Sequence, residues 1–166
     1  NDGAGANAGH VRIYEYSAGS WTQLGADIDG EATGDESGYS VSLSSDGTTV
    51  AIGAYRNDGN GTDAGHVRIY EYSAGSWTQL GVDIDGEAYA YGMSGYSVSL
   101  SSGGDTVAIG APFNDGAGVN AGHVRIYTYS AGSWSQLGAD IDGEAVGDQS
   151  GFSVSLSSDG STVAIG

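Results

Sequence analysis

Gly65-His66-Val67-Arg68-Ile69-Tyr70 recurs as Gly9-His10-Val11-Arg12-Ile13-Tyr14 and as Gly122-His123-Val124-Arg125-Ile126-Tyr127, and this recurrence settles the kind of fold. The copies begin 56 and 57 residues apart. Such a fixed period is the mark of a repeat architecture, in which each unit buries its faces against its neighbours. On either side the likeness extends further. Residues 9–30 and 65–86 differ only at Ala26 and Val82, and the third copy differs from the first at Thr128 and Ser135. The extra residue lies in Glu87-Ala88-Tyr89-Ala90-Tyr91-Gly92-Met93, which replaces Glu31-Ala32-Thr33-Gly34-Asp35-Glu36. Units this alike repeat one role rather than divide several.

One unit reads as four strands. Gly38-Tyr39-Ser40-Val41-Ser42-Leu43-Ser44 alternates with period two, placing Tyr39, Val41 and Leu43 on one face. Asp46-Gly47 is a hairpin signal, and Thr48 to Gly53 is the returning strand. An Asn, Asp and Gly loop, Asn57 to Asp63, precedes a third strand, His66 to Tyr72, rich in β-branched and aromatic residues. Ser73 to Ser76 turns into a fourth, Trp77 to Ile84. No segment has a helical period. The expected fold is all-β: a β-propeller-type array of four-stranded antiparallel blades, three repeats of about 56 residues. Residues 1–36 are expected to form a half blade (strands three and four) with a linker, 37–93 and 94–149 one blade each, and 150–166 a half blade of strands one and two. Three blades do not readily close a ring. The array is therefore expected to be part of a larger propeller or to be completed by another copy. The start on Asn1-Asp2-Gly3, in the middle of the pattern, fits a mature product or a fragment.

Composition narrows the function. The chain has 166 residues, 31 of them Gly, no Cys, and 21 acidic against 4 basic residues, for a formal charge of −17. Phosphate contacts require a basic footprint, so nucleic acid is excluded as a partner and anionic membrane is disfavoured. Without Cys there is no disulfide framework or thiolate metal site. No apolar run reaches the roughly 20 residues of a membrane helix.

The order Ser37-Gly38-Tyr39-Ser40-Val41, Val50-Ala51-Ile52-Gly53-Ala54, Gly65-His66-Val67-Arg68-Ile69-Tyr70 resembles the FG-GAP repeat of integrin-α-type propellers, with Gly151-Phe152-Ser153-Val154 and Gly110-Ala111-Pro112 the best copies of its two motifs. The resemblance implies an extracellular propeller used in adhesion and binding. Many such repeats hold calcium between their first two strands. Here that place is Ser44-Ser45-Asp46-Gly47-Thr48, short and poor in carboxylates, so that site does not carry over.

Four candidate sites remain. Asp58, Asn60 and Asp63, with the weaker copies Asp115 and Asn120 and Asp2 and Asn7, alternate with glycines as calcium ligands do; calcium is the one cofactor considered. Asn60-Gly61-Thr62 is an N-glycosylation sequon, expected to act at Asn60 in a secreted chain. Trp21, Trp77 and Trp134 open the fourth strands and are expected to pack between blades or to stack on sugars. Asp27-Ile28-Asp29-Gly30-Glu31 and its copies are expected to be solvated edges that deter pairing. His10, His66 and His123 are expected to be structural. Repetition argues against a unique catalytic geometry, and no Gly-x-Ser-x-Gly elbow is present. The chain is therefore expected to be no enzyme but an extracellular, secreted or cell-surface module, structural or adhesive, that acts through self-association or surface contacts. Its partners would be other copies of itself or further repeats of a longer chain. The alternative is a lectin- or integrin-like propeller that binds glycans or extracellular proteins in its interstrand loops, supported by calcium.

Overall fold

A computed structural model of the chain describes residues 4–88 and 91–166. Among them there are only strands, turns and loops. The first group is β1 (His10–Val11), β2 (Tyr14–Ser17), β3 (Ser20–Gln23) and β4 (Ile28–Asp29), with β1 on β4 and β2 on β3. A full antiparallel sheet follows: β5 (Ser40–Leu43), β6 (Thr49–Ala54), β7 (His66–Ser73), β8 (Ser76–Gln79) and β9 (Ile84–Asp85). A second repeats it: β10 (Ser97–Leu100), β11 (Thr106–Ala111), β12 (His123–Ser130), β13 (Ser133–Gln136) and β14 (Ile141–Asp142). The last group is the hairpin β15 (Val154–Leu156) and β16 (Val163–Ile165).

The fourth strand differs from the sequence expectation. Instead of one run from Trp77 to Ile84 there are two pieces, β8 and β9, both on β7. Between them Gly81 takes φ +81°, a left-handed conformation that interrupts the ladder.

Each hairpin between first and second strands is closed by its own side chains. The Asp46 carboxylate accepts hydrogen bonds from the Thr48 amide (3.0 Å), the Thr48 hydroxyl and the Ser44 hydroxyl. The Thr48 amide above all, with both hydroxyls, holds the Asp46 carboxyl down at about 2. The tight turn sets the register Leu43 opposite Val50 and Ser40 opposite Gly53.

Sheets stack face to face, and alternation assigns each face a neighbour. The serines of a first strand point to the following sheet. Ser40 donates to the Gly95 carbonyl (2.7 Å) and Ser42 accepts from the Leu100 amide (2.9 Å). Ser97 and Ser99 do the same to Gly151 and Leu156. The apolar residues point to the preceding sheet. Val98, Leu100, Val107 and Ile109 pack on Ala51, Val67 and Ile69, and Val50 and Ile52 pack on Val11, Ile13 and Ile28. The central strands β6 and β11 are buried along their whole length for this reason.

The stack stays open. Among the described residues β15–β16 pair with no strand of the first group, and no ring closes. The first group thus offers the outer half of a sheet and the last group the inner half. Exposure reflects this: Val41 is 54% and Leu43 49% exposed, while their equivalents Val98 and Leu100 are 9% and 7%.

Stacking at this distance leaves no room for a side chain at Gly110, where a Cβ would run into the Gly151 carbonyl oxygen. Gly110→Ala is expected to cost about 1–3 kcal/mol, read as a lower urea midpoint at unchanged m-value.

Candidate functional site

The feature shared by the first two sheet-to-sheet contacts is a tryptophan on a carbonyl. The indole Nε1 of Trp77 donates to the Leu24 carbonyl and that of Trp134 to the Leu80 carbonyl, each at 2.7 Å. Both carbonyls sit beside the left-handed glycine that splits the fourth strand of the preceding sheet. A Cβ at Gly25 would stand 2.8 Å from Trp77 Cδ1, and one at Gly81 2.9 Å from Trp134 Cδ1. The bend is therefore the seat of the next tryptophan, which is partly buried there with its N–H paired. Trp77 and Trp134 pack between blades. Trp21, on the first group, has no preceding sheet and is 69% exposed.

Beside each seat lies an arginine cluster. Arg68 binds Glu31 of the preceding unit (2.6 Å) and faces Asp83 of its own (3.7 Å). Arg125 binds Asp140 (2.7 Å) and reaches back to Glu87. Among the described residues the carboxylate that Arg12 holds is its own Asp27, at 2.8 Å. The acidic segments are exposed at Asp29, Asp85 and Asp142, but part of each is used: Asp27, Asp83 and Asp140 are arginine partners, and Glu31 and Glu87 tie one blade to the next. Arg125 holds the Asp140 carboxyl down at about 2. His66 and His123 are buried in the same clusters, 3.8 and 3.9 Å from Asp83 and Asp140, and burial pushes both imidazoles below the ordinary value. Glu31, His66 and Asp83, and likewise His123, Asp140 and Asp142, bring ligand atoms within 4.8 Å of one another. Arg68 and Arg125 already supply the positive charge there.

In the Asn and Asp loops two aspartates receive backbone amides. Asp58 accepts the Asp63 amide at 2.8 Å, and Asp115 the Asn120 amide at 2.7 Å. Asn60 donates its side-chain amide to the Gly86 carbonyl at 2.7 Å, so it does not converge with Asp58 and Asp63. Asp2 lies outside the described residues. The residues that sequence reasoning passed over are Asn57 and Asn114, buried and donating to Asp35 and to Glu87 at 2.9 Å. Their only signal was their place before each Asp-Gly.

One further arrangement emerges at the start of the first strands. Tyr39, Tyr96 and Phe152 form a row across three units, with ring centroids 4.9 and 4.8 Å apart. Tyr55 and Phe113 back it. The hydrogen bond with Tyr39 pushes the Tyr96 hydroxyl up to about 12.

The loop geometry predicts that chelator leaves Tm within about 1 °C, since only a ligand bound to the folded state shifts it. The buried histidines predict acid sensitivity. At pH 8 they are neutral whether folded or not. As pH falls through the ordinary value of 6.5, the unfolded chain takes up protons that the buried rings refuse, and stability drops. A second loss sets in below 3.8, as the unfolded counterpart of Asp140 protonates first. In high salt, which screens the net charge, the urea midpoint should fall from pH 8 to pH 5. A His66→Gln, His123→Gln variant should flatten that slope.

Residues 26–70 match the sequence profile of the FG-GAP repeat. No curated protein matches the chain. Among solved structures, a candidate 6-phosphogluconolactonase from Bacteroides fragilis superposes with a TM-score of 0.58 at 14% identity, over 98% of this chain and 37% of that one. The chain thus spans little more than a third of that structure's length, and the likeness is one of fold. The profile match covers one unit, residues 26–70, and supports an FG-GAP-type repeat there.

Proposed function

We propose that the chain is a non-catalytic, extracellular structural or adhesive module whose open blade faces are covered by further repeats, those of a longer chain or of another copy. One observation carries this reading. The surface formed by Val41 and Leu43 is of the kind that Val98 and Leu100 bury inside the stack, and it is left half exposed. Burying apolar area of this sort contributes roughly 25 cal/mol per Å², and open strand edges invite pairing. The surroundings are acidic, with a charge of −17, which disfavours nucleic acid and anionic lipid and leaves protein or cationic partners. The extracellular setting rests on the repeat family alone. Asn60, exposed on its loop, is compatible with glycosylation there, because its amide nitrogen would keep one N–H for Gly86.

A second reading is favoured by the aromatic row. Tyr39 and Phe152 are 48% and 49% exposed and continuous with Tyr96, a surface on which a sugar or an apolar segment of an extracellular protein could stack. On that reading the chain is a lectin- or integrin-like binder.

Sedimentation of the 166-residue chain separates the two. The first predicts a mass that rises with concentration, and more so in salt, since like-charged copies repel when unscreened. The second predicts a monomer at every concentration that is retained on immobilised glycans and released by Tyr39→Ala with Phe152→Ala.

A further inference from the structure

A cavity lies between the outer strands of two neighbouring units, apart from the blade faces and the aromatic row. It is a notch of about 320 Å³, with Ala26, Asp27 and Asp29 on one side and Tyr70, Ser76 and Trp77 on the other. Its walls are the outer pieces of one sheet, β3 and β4, and the β7–β8 hairpin of the next. A strand inward of the first wall pairs with β1–β2, as β6 pairs with β7, and stays clear of the notch. The polar groups here are mostly acceptors. Asp27 takes Arg12 and Gln23 on its two oxygens, at 2.8 and 2.7 Å, and is neutralised there. The exposed Asp29 carboxylate has no hydrogen bond or ion pair among the described residues. Ser76 donates its hydroxyl to the Ser73 carbonyl, which leaves its lone pairs free. The Trp77 N–H is held by Leu24. The Tyr70 hydroxyl accepts from Arg68 at 3.0 Å and keeps its own proton to donate. The next contact repeats these residues as Asp83, Asp85, Tyr127, Ser133 and Trp134, but sets Val82 where the notch has Ala26. Val82 is 75% exposed, so it fills no core.

We propose that this notch binds an alkylammonium group, with its charge at Asp29 and its methylene chain along Trp77 and Tyr70, and that Val82 narrows the copy of the site at the next contact. An ammonium has three donors and no acceptor, the complement of side chains that offer acceptors and a single donor. A sugar hydroxyl brings an acceptor with each donor and finds fewer partners here. The indole and phenol rings attract the cation through their faces and cover its methylenes. The charge of −17 draws cations toward the whole surface, whereas the free carboxylate beside two rings holds one at a fixed place. Ala26 leaves that place open, and the two further methyl groups of Val82 stand at its mouth in the copy. The ammonium comes from a free amine or from a lysine side chain of another protein, and the chemistry at the notch is the same for both. The site stands whether or not the blade faces are covered.

The test is an NMR titration of the whole isotope-labelled chain with cadaverine at neutral pH, where both its amines are charged. The three tryptophans give three indole N–H signals, which also report that each variant is folded. The Trp77 signal should move along a saturating curve, and the Trp134 signal should respond more weakly. Asp29→Asn should weaken the Trp77 response about tenfold, as the loss of a charged hydrogen bond requires. Glu15→Gln, the same change of charge at an exposed carboxylate outside the notch, should leave it within about twofold. Ala26→Val should suppress the response at Trp77, and Val82→Ala should raise the one at Trp134 to match the parent's Trp77. Pentanediol, which lacks the charge, should move neither signal. Nα-acetyl-lysine amide separates the sources: a matching shift at Trp77 assigns the site to a lysine side chain, and no shift assigns it to a free amine. Equal effects of Asp29→Asn and Glu15→Gln would mean general attraction of cations, and overturn the site. A pentanediol shift as large as that of cadaverine overturns the ammonium as its ligand. A Trp134 signal that Val82→Ala leaves unchanged overturns the part given to Val82.

Discussion

The arrangement depends on a tryptophan N–H that must leave water. An indole partly buried between two sheets keeps its packing energy best if its donor finds an acceptor, since a buried donor left unmade costs about 1–3 kcal/mol. Inside a sheet, carbonyls are consumed by the ladder. The repeat frees one by breaking its fourth strand at a glycine, so that the Leu24 and Leu80 carbonyls turn toward the following blade. The bend, the tryptophan and the spacing between blades are one solution to one constraint. It recurs because the sequence recurs.

From that contact the other features take their places. With the outer strands fixed at the tryptophan, the inner strands approach closely enough for Ser40, Ser42, Ser97 and Ser99 to bond the next backbone. A face of serines, polar by composition, becomes an interior face by hydrogen bonding. The arginines fill the groove between outer strands, where a guanidinium can satisfy carboxylates from two units at once. A strongly acidic chain thus places three of its four cations at positions of one kind.

Much of this could be read from the residues. Period-two alternation around Val41 and Val98, the Asp46-Gly47 turn and the recurrence of Gly-His-Val-Arg-Ile-Tyr placed the strands, their order and their need for stacked neighbours. The split of the fourth strand could not be read, because Gly81 in an otherwise alternating run does not disclose what approaches it. The link between Glu31 and Arg68 was hidden for a related reason. Both recur in every unit, so periodicity cannot tell a contact within a unit from one between units. Asp27 looked solvated because its partner lies 15 residues back, on the neighbouring strand segment. The Asn57 to Asp63 loop has the composition of a cation site, and in the structure the Asp63 amide takes one oxygen of Asp58 while the Asn60 side chain turns to Gly86.

Whether the glycine bend exists to receive the tryptophan is measured by a double-mutant cycle between Gly81 and Trp134. Gly81→Ala puts a methyl group into the indole 2.9 Å away, so its cost should shrink once Trp134→Ala has removed the ring. A coupling of about 1–3 kcal/mol is expected from urea unfolding of the four chains. Costs that add within about 0.5 kcal/mol would show that the bend and the tryptophan are independent, and that the blades are not held in this way.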